Sequence, residues 1–418
     1  MKKIFSFTML FLILHSSFLI LNSRCQWFEQ SPVPQVSNLK DVYFANSSTG
    51  WAVGDNGTII KTTNGGINWT AQTSGTTMSL YSVYFPSNYN IGWTVGQNGV
   101  IRFTNNGGTS WTTQYSFTSQ PLRSVISTTH PYFIGYIVGY AGKILKTTNQ
   151  GVNWISQTSG TIYQLYSMCF INDNTGYVVG QEGVFLYTSN GGTTWAIRSS
   201  GTANNLNSVI FYQNAGWAVG DSGTILRTEN LGTNWVKQTS GTMLKLNSVK
   251  LFGTYTAWAV GNNGKTLKTT NGGINWISQT SGTNKHLQSV YFITNNIGWA
   301  VGDNGTILHT TNGGSSFVQK IGEEIPEKFS LYQNYPNPFN PSTKIKFSIL
   351  QDARRKTQDV ILRVYDILGK VVQVLVNEQL QPGIYEVTFD GTNIPSGIYF
   401  YKLFAGDFSD VKKLILLK

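Results

Sequence analysis

Gly50-Trp51-Ala52-Val53-Gly54, followed eight residues later by Thr62-Thr63-Asn64-Gly65-Gly66-Ile67-Asn68-Trp69, is the unit from which the chain is built. The first motif returns with its closing glycine at Gly54, Gly96, Gly139, Gly180, Gly220, Gly261 and Gly302, in steps of 40 to 43 residues. The tryptophan of the second returns at Trp69, Trp111, Trp154, Trp195, Trp235 and Trp276, with Phe317 in the last copy. An apolar stretch such as Leu80-Tyr81-Ser82-Val83-Tyr84-Phe85 precedes each pair. Repetition at a fixed period of this length marks a repeat architecture. Each unit alternates apolar and polar residues over four short runs punctuated by Gly and Asn. That is the signature of strands and tight turns, and no helical stripe survives the glycines. Four strands in about 41 residues make a propeller blade, and seven copies make seven blades.

The turn after the third strand has its own logic. Asn64 and its equivalents can cap backbone N–H groups, and the glycine two residues later supplies a positive φ without a Cβ clash. A ring must also close. Trp27-Phe28-Glu29-Gln30 repeats the pattern of Trp69 to Gln72, so it is an eighth copy of the fourth strand, expected to pair into the last blade. Phe317-Val318-Gln319 could fill the same place, and the sequence leaves both open.

Composition agrees with this architecture. Charged residues are 12% of the 418, aromatics 13%, and glycine appears 44 times. Charge-poor, aromatic-rich chains are not disordered, and the residues of long helices are scarce. The net charge of +11 is spread thinly: residues 26–325 hold 15 basic and 10 acidic side chains, and 326–418 hold 12 and 9. No dense Lys/Arg patch marks a nucleic-acid binder.

Lys2 and Lys3 followed by the apolar run Ile4 to Leu21 form a secretion signal, with cleavage expected after Cys25. Arg24 before that cysteine argues against a lipid anchor. His15, Ser16 and Ser17 interrupt the run, which makes a poor membrane span, so no transmembrane segment is expected after cleavage. Cys169 alone would then remain, as a buried, inert thiol.

Two resemblances follow from these residues. Thr62 to Trp69 resembles the Asp-box of bacterial neuraminidase-type repeats, with Asn where Asp is usual. Together with Gly50 to Gly54 and Thr224 to Thr228, the array over about residues 27–320 is similar to the photosystem II stability/assembly-factor-like propellers. The tail carries the second. Tyr335-Pro336-Asn337-Pro338-Phe339-Asn340-Pro341, Val364-Tyr365-Asp366 with Leu368-Gly369, Ser396-Gly397-Ile398-Tyr399-Phe400, and Lys412 to the final Lys418 resemble the C-terminal sorting domain of the type IX secretion system. This implies export by that machinery to the exterior or outer surface of a Gram-negative cell. A photosystem role does not follow, because the tail sends the protein outside. The expected fold is all-β: signal peptide 1–25, seven-bladed β-propeller 26–320, linker 321–334 and an Ig-like sandwich 335–418 built from alternating strands.

The search for chemistry is short. Residues 26–325 contain four arginines, Arg102, Arg123, Arg198 and Arg227, at non-equivalent repeat positions, so the neuraminidase arginine cluster is missing. Asp55, Glu182, Asp221 and Asp303 share one turn of different blades. They are expected to cap that turn rather than act as glycosidase carboxylates. His130, His286 and His309 have no metal spacing, and neither metal nor cofactor is expected. Lys61, Lys146, Arg227, Lys268 and His309 share a third-strand position. Their stems are expected to cover aromatic surface while their heads reach water. Propeller geometry gathers Asp55, Gln97, Tyr140, Gln181, Asp221, Asn262 and Asp303 with Tyr163, Lys245 and His286 on one face, the candidate ligand face. The functional expectation is a monomeric, non-catalytic scaffold that binds an extracellular protein or glycan. The alternatives are a secreted glycan hydrolase and a structural adhesin.

Overall fold

The computed structural model describes residues 27–418 apart from 31–32, 35–36, 87–89, 129–133, 315–317, 323, 325, 352–356 and 392–393. It divides into two compact units, Trp27–Gly314 and Ser315–Lys418. The first consists of seven antiparallel four-stranded sheets. Blade 1 is Leu39–Phe44, Gly50–Gly54, Ile59–Thr62 and Thr70–Gln72, and blades 2 to 6 repeat it. The first strands of neighbouring blades pack against one another all the way round, so they line the axis.

The registered glycine is explained by its neighbour. A Cβ on Gly54 would lie 2.1 Å from the backbone oxygen of Asn38, and its six equivalents meet the preceding link at 1.9–2.3 Å. Only a residue without a side chain lets the link cross the end of the second strand. The aromatics hold the blades together. Trp51 stacks on Phe85 of the next blade at 3.7 Å, Tyr177 on Phe211 at 3.7 Å, Trp258 on Phe292 at 3.7 Å and Trp299 on Phe44 at 3.5 Å. All these rings are buried, and their large area contributes to the blade-to-blade attraction. In the turn, Asn64 Oδ1 accepts from Asn68 N at 2.9 Å and Thr62 Oγ1 accepts from Gly66 N at 2.9 Å, as the turn chemistry requires.

Blade 7 is Leu287–Phe292, Gly298–Gly302 and Ile307–Thr310, completed by Phe28–Glu29 in register with His309 and Leu308. Trp27 is 1% exposed and fills the tryptophan place of this blade. Its Nε1 donates to Gln279 Oε1 at 3.2 Å, as Trp111 does to Gln72 and Trp276 to Gln238. Its edge meets Phe292 at 5.6 Å, as Trp69 meets Phe44. Phe317, the rival for this place, lies outside the described residues. With the fourth-strand position occupied, Val318–Gly322 pairs instead with Gly383–Asp390 of the second unit.

That unit is a two-sheet sandwich. One sheet is Val318–Gly322, Gly383–Asp390, Ser342–Ile349 and Ser330–Leu331 in spatial order. The other is Val371–Leu380, Gln358–Tyr365, Gly397–Ala405 and Phe408–Leu416. Two strands therefore arise in and beside the stretch expected as linker. Ile345, Phe347, Leu362, Val387, Tyr401 and Leu403 form the core between the sheets.

Candidate functional site

The site is set by an irregularity shared by every blade. In blade 1 Leu39 opposes Gly54 and Asp41 opposes Val53, so one extra residue, Lys40, interrupts the ladder. The same register shift occurs in the other six first strands. A bulge of this kind re-aims side chains. Two consecutive residues of each first strand consequently line an axial funnel of about 290 Å³. The outer ring is Lys40, Tyr81, Arg123, Tyr166, Asn207, Asn247 and Gln288. The inner ring is Asp41, Ser82, Ser124, Ser167, Ser208, Ser248 and Ser289.

The inner ring seams the blades. Ser82 Oγ accepts from Val125 N at 3.3 Å, Ser167 Oγ from Val209 N at 3.2 Å, Ser208 Oγ from Val249 N at 3.2 Å and Ser248 Oγ from Val290 N at 3.3 Å. In blade 1 Asp41 takes the place of serine. Its carboxylate accepts from Val83 N at 3.0 Å, Val42 N at 2.9 Å and Ser289 Oγ at 2.7 Å. Burial raises its pKa, and the hydrogen bonds oppose that rise.

Four residues of the outer ring are gripped from behind by the turn of the same blade. Lys40 Nζ lies 3.2 Å from Asp55, which also accepts from Asn38. Asn207 Nδ2 donates to Asp221 at 3.0 Å, Asn247 Nδ2 to Asn262 at 3.2 Å and Gln288 Nε2 to Asp303 at 3.0 Å. Lys245 Nζ reaches Asp221 at 3.6 Å.

The ten residues expected on the ligand face thus divide. Tyr140 and Lys245 line the funnel, and Asp55, Asp221, Asn262 and Asp303 hold its rim. Gln181 Oε1 accepts from Gln164 N, His286 Nδ1 accepts from Asn263 N, and Gln97 N donates to Ser79 O. Tyr163 lies farther out, in a groove with Ile162 and Ile197, where its hydrogen bond with Glu182 raises its pKa. The expected capping role of the four acids is corrected. In the turns at Asp55, Glu182, Asp221 and Asp303 the carboxylates bond outside the turn: Asp55 to Asn38 and Lys40, Asp221 to Asn205 and Asn207, Asp303 to Gln288, and Glu182 to Tyr163. Backbone bonds such as Thr58 N to Asp55 O close them, which frees the carboxylates for the rim.

The third-strand basic arc is also corrected in part. Lys61 lies over the Trp51 ring at 5.3 Å and Lys146 over Tyr136 at 5.5 Å, as expected of their stems. Their heads, however, donate to the next blade: Lys61 Nζ to Gly107 O at 2.8 Å and Lys146 Nζ to Gly191 O at 2.6 Å. Trp51 Nε1 and Tyr136 Oη donate to those same carbonyls. Lys61 and Lys146 are thus interblade clasps, and burial lowers both lysine pKa values.

Cys169 is buried, and burial pushes its thiol up. Among the described residues no three His, Cys, Asp or Glu side chains gather to hold a metal ion. His130 lies outside the described residues.

In the sandwich, the Tyr335 to Pro341 motif clips the chain end. Phe339 N donates to Ile415 O and Leu417 N to Phe339 O, both at 3.0 Å, with the Phe339 ring buried. Asn337 Oδ1 accepts from Ile415 N at 2.9 Å. Pro336 O accepts from Thr343 Oγ1, and Pro341 O from Gly391 N. Tyr335 is exposed. Gly369 sits at φ +79° in a turn, Gly397 opens a strand, Tyr399 donates to Pro395 O, and Lys418 N donates to Ser396 Oγ.

The outer ring does not recur from blade to blade, so the repeat pattern of the sequence does not mark it. A register position that varies while its neighbours repeat was the signal available.

Fold and site define a closed seven-bladed propeller with a polar axial funnel, joined to a clipped β-sandwich. Residues 21–165, 160–279 and 242–328 match the family described as Photosynthesis system II assembly factor YCF48, and the chain belongs to that family. Residues 333–417 match the Secretion system C-terminal sorting domain, which implies secretion or attachment at the cell surface. Among solved structures, "YCF48 bound to D1 peptide" is 20% identical with a TM-score of 0.59, covering 69% of this chain and 95% of that one. YCF48 from Cyanidioschyzon merolae is 21% identical with a TM-score of 0.58, covering 68% and 98%. The WD40 β-propeller domain of Doa1 is 11% identical with a TM-score of 0.55, covering 68% and 94%. At these identities the likeness concerns the fold. No curated protein matches. Among the described residues no helix is long and apolar enough to cross a membrane.

Proposed function

We propose that this secreted propeller is a non-catalytic docking scaffold that receives an extended segment of a partner protein in its axial funnel. The observation that carries the proposal is the funnel itself: a concave site to which all seven blades contribute, rimmed by Tyr81, Tyr140, Tyr166 and Arg123. Tyr and Arg are the residue types that dominate binding energy at protein interfaces. A cavity of this size admits side chains of a strand or loop, not a domain. One structure of similar fold holds a peptide, which supports a peptide as the class of ligand. Against catalysis, Asp41 is the one carboxylate among the funnel's lining residues, and Val83, Val42, Ser289 and Ser82 donate to it. Glycoside hydrolysis needs two carboxyls facing one bond.

The test places a photo-crosslinking residue at Tyr140 of the full mature chain, on its own cell envelope, with Ile274 on the Asn-Gly-Gly turns as control. Selective crosslinks from position 140 to one segment of one protein are expected. Equal capture from both positions would refute docking at the funnel. Turnover of polysaccharide by the purified chain would refute a non-catalytic role.

A further inference from the structure

We infer that Arg123 anchors a carboxylate of the docked protein segment. The inference rests on the docking function proposed above and supplies the chemistry of one contact. The blades differ from one another at this register. Four outer-ring residues find a partner in the turn of their own blade: Lys40 with Asp55, Asn207 with Asp221, Asn247 with Asn262 and Gln288 with Asp303. In blade 3 the outer-ring residue is the guanidinium of Arg123, and the turn supplies Tyr140 in place of an acid. A neutral phenol cannot balance a guanidinium.

Nothing nearby takes over that task. Among the described residues no carboxylate forms an ion pair with Arg123. Lys245, a cation from the link before blade 6, already faces Asp221. Asp41 is committed to Ser289, Val83 and Val42. The guanidinium carbon lies 4.6 Å from the Tyr81 ring centre and 6.0 Å from that of Tyr166, so two rings hold it by cation–π attraction. Neither ring consumes its N–H donors. Arginine presents five donors in a rigid fork that matches a carboxylate with two parallel hydrogen bonds. The other cations lining the funnel, Lys40 and Lys245, are paired with Asp55 and Asp221, so the fork of Arg123 is the one left for a planar carboxylate among the described residues.

The experiment titrates the full mature chain with acetyl-Ala-Glu-Ala-amide and with its Gln counterpart, following side-chain resonances by NMR at low salt. The Glu peptide is expected to bind about tenfold more tightly, one charge-assisted contact's worth of preference. Arg123→Gln should abolish the preference with an unchanged melting temperature, because blade 7 carries Gln288 at this register. Arg123→Lys should retain part of it, as charge survives and the fork does not. Equal binding of the two peptides, or a preference that persists in Arg123→Gln, overturns the inference. If crosslinking from Tyr140 still succeeds in that case, the docking proposal stands while the carboxylate anchor falls. Arg123-dependent binding of oligogalacturonate tighter than that of the Glu peptide overturns the protein source of the carboxylate.

Discussion

Replacing Trp27 by alanine tests whether the N-terminal residues close the ring or merely decorate it. The side chain is 1% exposed, meets Phe292 edge-on and donates to Gln279. Truncating a buried tryptophan costs roughly 3–5 kcal/mol, and the indole hydrogen bond lies within that figure. In a domain of this size each kcal/mol moves the melting temperature by about 2–4 °C, so a fall of roughly 6–20 °C is expected by calorimetry. Trp69→Ala removes the equivalent side chain from blade 1, where the fourth strand is covalently continuous with its blade. Both variants should lose similar stability, but only Trp27→Ala should loosen the closure locally. Phe28–Glu29 is a two-residue strand held to Ile307–Thr310 by few bonds. Hydrogen exchange of Ile307–Thr310 should therefore quicken in Trp27→Ala, while Ile225–Thr228 of blade 5 stays protected. A melting temperature within about 3 °C of the parent, with unchanged exchange in blade 7, would refute closure by this strand.

Two further perturbations follow from single residues. Phe117 adopts φ +53° and is 87% exposed, where five other blades place Gly75, Gly160, Gly201, Gly241 and Gly282 in the same left-handed conformation. Phe117→Gly should raise stability by about 1 kcal/mol, read as a higher denaturant midpoint, since it relieves backbone strain and removes almost no packing. His309 stacks on Trp299 at 4.9 Å, and burial lowers its pKa to about 4. The unfolded chain takes up this proton near pH 6.5 and the folded chain near 4, so the stabilising contribution is present above 6.5 and lost as pH falls through that window. The loss is at most about 3 kcal/mol. His309→Phe, which copies Phe103 of blade 2, should be flat over the same range; parallel stability profiles for parent and variant would contradict this.

Much of the propeller was legible because its constraints repeat. Gly54 and its equivalents recur because a Cβ there would strike the preceding link, and Asn64 recurs because its oxygen caps its own turn. The strands of the tail were legible through alternation, but the pairing of Val318–Gly322 was not. Where that segment goes depends on whether the last blade is already full, which is decided by residues almost 300 positions earlier. The candidate site was legible only in part. Asp55, Asp221 and Asp303 were found because they share a turn, yet their side chains act on neighbours that no spacing indicates. The outer ring was hidden by the bulge. Strict alternation would turn Lys40 and Asp41 to opposite sides, and the extra residue turns both toward the axis.

That extra residue has a consequence for how the surface can change. Lys40 and its counterparts stand outside the register of the ladder, and none belongs to a blade core. Residues that carry the sheet and residues that meet the outside world occupy separate positions of the same strand. Five of these seven sites can therefore be rewritten with the frame intact, while Asn207 and Asn247 also donate to Leu246 O and Leu287 O of the next blade. Lys, Tyr, Arg, Asn and Gln already occupy the seven in this one chain. The molecule is built like a combination dial on which a new partner calls for new settings, two of whose places are also bolted to the casing.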